Sequence, residues 1–235
     1  VATGVDIVQL SYDEPLADEL YARLQRVFGR RIKRLHGVAP LRRALKLTAE
    51  LVDTDQYWLA DGDFEIDPAF NPGKIPPLPD GIAMTVLQAE NALNGLVYGN
   101  GGLKLIRTEA IREMGDDTVD VLAAIGKVEF LPVCAGVTRF NQTPFHAWKA
   151  GFREVAMITR GGEYGMGPEW AELVTDRWLN YSEGVYATFG AAGAQAGIDF
   201  ARETGRDSAL WQQINDPAWL KRWFDECYPK LMNLA

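Results

Sequence analysis

Apolar positions change their period repeatedly along the first sixty residues. Val5 to Leu10 (VDIVQL) is a short apolar-rich run that reads as a strand and stops at Ser11-Tyr12-Asp13-Glu14-Pro15. From Pro15 to Phe28 the apolar side chains fall at Leu16, Leu20, Leu24 and Val27/Phe28, the spacing of a helix with one buried stripe. Arg31 to Leu35 follows as a second strand, Leu41 to Val52 as a second helix and Tyr57 to Ala60 as a third strand. Strand-helix-strand-helix-strand predicts an α/β fold, a mostly parallel sheet flanked by crossover helices. Ligands of such sheets collect at the carboxyl ends of the strands, where Ser11–Glu14 and Asp61-Gly62-Asp63 fall.

Further along, Pro144 to Thr159 has helical spacing, with Phe145, Trp148, Phe152, Val155 and Ile158 near one stripe. On another face His146, Lys149 and Arg153 recur at i, i+3 and i+7, so they can converge on one ligand. Gly161-Gly162 and Gly165-x-Gly167-Pro168 read as a linker, and Pro168 to Ala235 as mostly helical. This places an α/β domain at 1–160 and a helical, aromatic-rich extension at 161–235. The extension carries Trp170, Trp178, Trp211, Trp219, Trp223, Tyr181, Tyr186 and Tyr228. Core packing is the ordinary use of such side chains; stacking on an extruded base is the other. Gly190 to Gly197 (GAAGAQAG) points to closely packed helices.

Composition narrows the class. The 235 residues suffice for one large domain or a domain with an appendage, and 47% of them are apolar. Runs of 18 uncharged residues are absent, which argues against a membrane span. Asp6 and Asp13 interrupt what would be a signal sequence, and a start at Val1 suggests a trimmed terminus. Cys134 and Cys227 sit in apolar or aromatic surroundings and read as buried thiols. The formal charge of −8 conceals a basic strip from Arg23 to Lys46, nine Lys or Arg with no acid among them, which leaves −17 on the rest. A generic coat for nucleic acid would not look like this; a confined polyanion, such as a diphosphate or one stretch of backbone, fits better.

Candidate chemistry follows from two short segments. Asp61 and Asp63 lie two apart at the end of an apolar run, so an extended chain would point both the same way. Two hard oxygen ligands side by side suit Mg²⁺ or Mn²⁺ bound together with substrate phosphates; an Asp-Gly-Asp surface turn is the alternative. Tyr98-Gly99-Asn100-Gly101-Gly102 either forms a hairpin turn, which Asn-Gly favours, or lets backbone approach a ligand closely.

The front of the chain resembles family-2-type glycosyltransferases of the GT-A fold. The resemblance runs from the first strand through Ser11–Pro15 (SYDEP), the basic strand, Gly37-Val38 and a helix anchored at Ala44, into the D-x-D of Asp61-Gly62-Asp63. Lys46 stands where that family usually has Asn. The middle resembles the TET-associated DNA glycosyltransferases of bacteriophages, through Tyr98–Leu105 (YGNGGLKL), the acids Asp116, Asp117 and Asp120, Thr138-Arg139-Phe140-Asn141, and Trp148–Glu154 (WKAGFRE). Together these imply transfer of sugar from a nucleotide donor, a UDP-sugar, to 5-hydroxymethylpyrimidines of DNA in the cytoplasm of a phage-infected bacterium, without membrane attachment. They imply a divalent metal, Mn²⁺ or Mg²⁺, on Asp61 and Asp63 with His146 as a third ligand. Ser11, Tyr12, Asp13, Arg42, Gly101 and Gly102 are expected at the donor, and Lys149 and Arg153 at its diphosphate or at a DNA phosphate. Asp120 is the expected general base, with Asp117 and Asp116 as alternatives; a retaining enzyme would not need one in that form. A saccharide or protein acceptor, or a non-catalytic binding module, are the rival readings.

Overall fold

A computed structural model describes residues 4–29, 31–161, 166–181 and 183–229. The chain divides into two units, one ending at Arg139 and the other beginning at Phe140. The first opens with β1 (Asp6–Ser11), α1 (Ala17–Phe28), β2 (Lys33–His36), α2 (Leu41–Glu50) and β3 (Gln56–Asp61), the alternation that the hydrophobic pattern predicts. It continues with β4 (Phe64–Ile66), β5 (Met84–Asn91), β6 (Val97–Tyr98), β7 (Leu103–Arg107), α3 (Thr108–Arg112), α4 (Val121–Ala124) and β8 (Val128–Thr138).

The sheet runs β2-β1-β3-β7-β5-β8-β4, with β6 paired to β5. Taken through the pairings, β1, β2, β3, β5 and β8 point one way, and β4, β6 and β7 the other. Strand alternation sends side chains to two cores. Ile7, Trp58, Ala60 and Leu105 pack with Leu24 of α1, and Val8, Tyr57, Leu59 and Ile106 pack with Leu45 and Ala49 of α2. Helix α1 starts at Ala17 rather than Pro15, because Ser11 to Leu16 is a turn in which Glu14 O accepts the Ala17 N–H.

The glycine-rich segment is not a hairpin. Strands β6 and β7 both pair with β5, Tyr98 opposite Ala89 and Lys104 opposite Val86. Residues 99–102 therefore form a bulging connection between two strands that follow one another along the same neighbour.

Buried between β3 and α2, the Tyr57 hydroxyl lies 2.7 Å from Thr48 Oγ, and Thr48 in turn donates to Leu45 O. Tyr57 is thus the donor of that pair. Burial pushes its phenol up to about 12. Raised above the unfolded value of about 10, this group binds its proton more tightly when folded, so its contribution is complete below pH 10 and is lost as the pH rises towards 12. Two pH units correspond to roughly 2–3 kcal/mol. Denaturant melts at pH 9, 10.5 and 12 should show this loss, and Tyr57→Phe should flatten it. An unchanged slope in the variant would assign the alkaline lability to other groups.

The second unit contains α5 (Pro144–Arg160), α6 (Pro168–Asn180), α7 (Ala187–Glu203), a 3-10 segment (Ala209–Asn215) and α8 (Pro217–Cys227). The boundary expected at 160/161 thus falls at 139/140 instead, because α5 packs along α7 and belongs with the helices that follow it. Gly162 and Gly165 of the expected linker lie outside the described residues, as do Arg30 of the basic strip and positions 230–235 of the helical tail.

Aromatic density in this unit is core packing. Trp148 stacks on Phe152 with centroids 5.0 Å apart, Trp223 meets Phe152 edge-on at 4.8 Å, and Phe200 meets Trp211 at 4.9 Å. Trp148, Trp178 and Trp211 are fully buried, whereas Trp170 and Tyr181 of the α6 region are exposed. The two cysteines are exposed, not buried: Cys134 lies where β8 breaks register with β5, and Cys227 ends α8. Among the described residues, no helix is long and apolar enough to cross a membrane.

Candidate functional site

Parallel β1 and β3 end side by side, Leu10 opposite Asp61, and this register brings the first two acidic segments together. Ser11 closes β1 with its side chain buried, its Oγ 2.8 Å from His36 Nδ1 at the end of β2. The Ser11 carbonyl accepts the Gly37 N–H at 3.0 Å, which ties the residue after β2 to the same point. Beyond Ser11 the chain turns, and the Tyr12 N–H donates to Glu14 Oε2 at 2.7 Å. Asp13 is exposed on this turn.

Asp61 is the last residue of β3, and Gly62-Asp63 is a turn into β4. The two carboxylates are therefore not set by strand alternation; the turn positions Asp63. Gly62 is required there by close approach. A Cβ at that position would lie 2.6 Å from both Ser11 Cβ and Glu14 Oε2. The other side of the turn is anchored by Arg139, whose N–H donates to Asp63 O at 2.7 Å. The Arg139 side chain pairs with Glu65, which also takes Arg23 of α1.

The glycine connection forms the adjoining wall. Asp61 N–H donates to Gly102 O at 3.0 Å, continuing the β3–β7 ladder by one bond. Asn100 stitches the loop in place: its Nδ2 donates to Ala89 O, and its Oδ1 accepts from the Thr138 hydroxyl at 2.9 Å and the Gly102 N–H at 3.3 Å. Gly101 has φ +91°, a conformation that side chains resist, and it borders the Asp61 carboxylate. Lys104 stands opposite Leu59, and Asp61 is two residues on along the same face. The Lys104 ammonium accordingly reaches Asp61 Oδ1 at 2.7 Å.

Ser11, Tyr12, Asp13, Asp61, Asp63, Gly101 and Gly102 thus meet at one end of the sheet, as the motifs predict. Glu14, Asn100, Lys104 and Thr138, which the quoted motifs contain but to which no role was given, join them. Lys104 carried a readable signal, a cation at an inward-alternating position of the apolar run Leu103–Ile106.

The expected bases lie in the same unit, on the face of the sheet that α2 covers. Arg42, near the start of α2, donates to the carbonyls of Gly115 and Thr118 and to Thr118 Oγ. It holds the 113–120 loop, a use of the guanidinium that the nucleotide-pocket expectation did not include. Lys46 approaches Asp116 at 3.6 Å, and Asp117 is exposed on the same loop. Asp120 caps α4, its Oδ1 accepting the Leu122 N–H at 3.0 Å. The hydrophobic side of α4, Val121, Leu122 and Ala124, packs on the core that contains Leu59 and Val86.

The trio on α5 does not converge. His146 is buried in the first turn, its Nδ1 2.7 Å from the Oγ of the capping residue Thr143. Lys149 lies over the Phe145 ring at 5.3 Å. Arg153 donates to Ile214 O and Asn215 Oδ1, both at 2.9 Å, and so ties α5 to the 3-10 segment. The three share a face but are spread over about 10 Å of the helix axis, and each meets a different partner.

The basic strip is likewise divided among local partners. Arg23 pairs with Glu19 and Glu65, Lys33 with Asp6 and Asp53, and Arg34 with Asp18. These cations stem from α1 and β2, and the acids that answer them come from elsewhere in the sequence.

The donor set at Asp61 and Asp63 fits a Mg²⁺ or Mn²⁺ site of the kind completed by phosphate and water rather than by protein. Among the described residues no group of three His, Cys, Asp or Glu could hold an ion by itself. Asp61 Oδ1 already answers Lys104. At the opposite end of the strands a polar cleft lined by Asp53, Asp55, Arg107 and Arg112 has its arginines bound to main-chain carbonyls of residues 49, 79 and 82.

No family model and no curated protein matches this sequence. Among solved structures, the chain is similar to the bifunctional IspDF of Campylobacter jejuni, with 14% identity and a TM-score of 0.36 over 55% of this chain and 49% of that one. It thus spans about half the length of that protein. It is also similar to the mannosyltransferase PcManGT of Pyrobaculum calidifontis, solved with GDP-mannose and Mn²⁺, at 10% identity and a TM-score of 0.42 over 96% of this chain and 87% of that one.

Proposed function

We propose that this chain is a divalent-metal-dependent glycosyltransferase of the GT-A type that uses a nucleotide sugar. The observation that carries the reading is the closure of the Asp61-Gly62-Asp63 turn onto the ends of β1 and the glycine connection. This arrangement puts the Asp61 carboxylate, the Lys104 ammonium and a side-chain-free stretch of backbone on one rim, with Asp63 on the adjoining turn. Asp61 and Asp63 would hold the cation, whose charge offsets that developing on a departing diphosphate. Ser11, Tyr12 and Asp13 line the neighbouring strand end for the nucleotide, and Gly101 and Gly102 let the donor approach the backbone. Titrating UDP-glucose and GDP-mannose with and without Mn²⁺, read as thermal shift, tests donor binding directly. No metal-dependent shift with any common nucleotide sugar would defeat the reading.

For the acceptor we propose the hydroxymethyl group of 5-hydroxymethylcytosine or 5-hydroxymethyluracil in DNA, on the resemblance of Tyr98–Leu105, Thr138–Asn141 and Trp148–Glu154. The rival saccharide or protein acceptor is favoured by one observation: Arg23, Lys33 and Arg34, among the strip's nine cations, are paired with acids of this chain. Following labelled sugar onto hydroxymethylated DNA, unmodified DNA and oligosaccharides separates the two.

Asp120 is our choice for the group that takes the acceptor proton. Asn caps a helix as well as Asp does, so Asp120→Asn should keep α4 and lose only the basic carboxylate. Turnover is expected to fall by roughly 10²-fold with donor affinity unchanged, whereas Asp120→Ala should lose about 1 kcal/mol of stability as well. If Asp120→Asn turns over normally, Asp116 and Asp117 come next, and a retaining mechanism after them.

A further inference from the structure

We propose that Lys104 couples cation binding to nucleotide-diphosphate binding, by holding Asp61 until a diphosphate takes over its ammonium. The inference rests on the donor reading above and adds a role for Lys104, to which no role was given within Tyr98–Leu105.

Lys104 is placed by the ladder rather than by chance. Its Cα is fixed between Leu59 and Val86 in the middle of the sheet, and Asp61 is its diagonal neighbour on β3. The ammonium sits 2.7 Å from Asp61 Oδ1, with the lysine side chain 12% exposed and the aspartate 38% exposed. The cation is thus the inner member of the pair and the carboxylate opens outward. Gly101 borders both groups: a Cβ there would lie 3.6 Å from Lys104 Nζ and 3.9 Å from Asp61 Oδ2. With no side chain at that position, an incoming ligand can reach the ammonium and the carboxylate together.

Charge then dictates the order of affinity. A divalent ion on Asp61 must share that carboxylate with a resident cation and is repelled by it. A diphosphate supplies several anionic oxygens, which can accept from the ammonium and ligate the metal at once. Metal alone should therefore bind weakly, and metal with diphosphate strongly. By linkage, each must raise the affinity of the other by the same factor.

The test uses the full chain and three forms: wild type, Lys104→Met and Lys104→Arg. Bound Mn²⁺ is read from the free-ion electron paramagnetic resonance signal, alone and with UDP or GDP, after subtracting the Mn²⁺–nucleotide complex in solution. Wild type should show coupling on the order of 100-fold, within the range of ordinary linked sites. Lys104→Met should bind Mn²⁺ alone about tenfold more tightly and lose about tenfold of the coupling, because the repulsion and the phosphate contact go together. Lys104→Arg should stay close to wild type, which guards against an effect of altered packing. If Lys104→Met binds Mn²⁺ no more tightly than wild type while the nucleotides still bind with metal, the coupling role is wrong and the donor reading stands. If neither nucleotide binds wild type at any Mn²⁺ concentration, the donor reading fails and takes the coupling with it.

Discussion

Replacing Gly193 with alanine should cost the second unit at least about 3 kcal/mol, the upper end of what overpacking normally does. A methyl carbon at that position would lie 2.1 Å from Trp148 O and 2.8 Å from Trp148 C, backbone atoms of the facing helix that cannot rotate away. A Cβ at Gly151 or Gly197 would meet the opposite helix as closely, 2.2 Å from Gly190 O and 2.5 Å from Phe152 O respectively. Helices α5 and α7 would have to part by more than an ångström along several turns. Such a shift would pull Trp148 and Phe152 away from Trp223 and loosen Phe152 on Phe200. Differential scanning calorimetry should show a fall of roughly 6–12 °C, at 2–4 °C per kcal/mol for a chain of this size. Gly205→Ala, at a position with open space around it, is the control and should melt as wild type does. A normal melting temperature for Gly193→Ala would mean that the two helices do not pack as tightly as described.

That contact shows which parts of the architecture a sequence can display. Gly190–Gly197 announced a close helix neighbour, because repeated small residues on one face have few other uses, but nothing in the pattern named α5 as the partner. The same division holds in the first unit. Periods of two and of three to four located β1, α1, β2, α2 and β3 within a few residues, since each buries a face set by local spacing. Register did the rest, and register is a long-range property. Lys104 meets Asp61 because β7 runs antiparallel beside β3, and Asn100 reaches Thr138 because β5 lies between β6 and β8.

Side chains with several hydrogen-bonding atoms were the least legible. Arg42, Arg153 and His146 are chemically suited to a ligand, and each is engaged by a carbonyl, an amide or a capping hydroxyl that a linear pattern cannot reveal. The pairing of Arg23, Lys33 and Arg34 was hidden for the same reason, since their answering acids Asp6, Asp18, Glu19, Asp53 and Glu65 lie outside the basic strip. Cys134 departed from its apolar surroundings because a register break in β8 turned it outward. Short turns fared better: Ser11–Glu14 and Asp61–Asp63 were placed by the rule that parallel strands present their ligand sites at their carboxyl ends.

Asp63→Ala should reduce sugar transfer by about 10³-fold, equivalent to roughly 4 kcal/mol of transition-state stabilisation. The residue lies at the tip of the turn, and the hydrogen bond that anchors that turn runs from Arg139 N–H to the Asp63 carbonyl, which the substitution keeps. Gly62 still fits against Ser11, and Phe64 still enters the core, so the turn should keep its place. What is lost is one of two carboxylates for the cation. Donor affinity measured in Mn²⁺ should therefore drop to the level wild type shows in chelator, while affinity in chelator stays the same. Asp61→Asn should differ in a diagnostic way, because it also releases Lys104 from its partner and leaves the ammonium free to grip the diphosphate without metal. Metal-independent donor binding is then expected to rise in Asp61→Asn and not in Asp63→Ala. Full activity of Asp63→Ala, or of wild type in excess chelator, would remove the divalent cation from the mechanism and leave Lys104 as the principal positive charge at the rim.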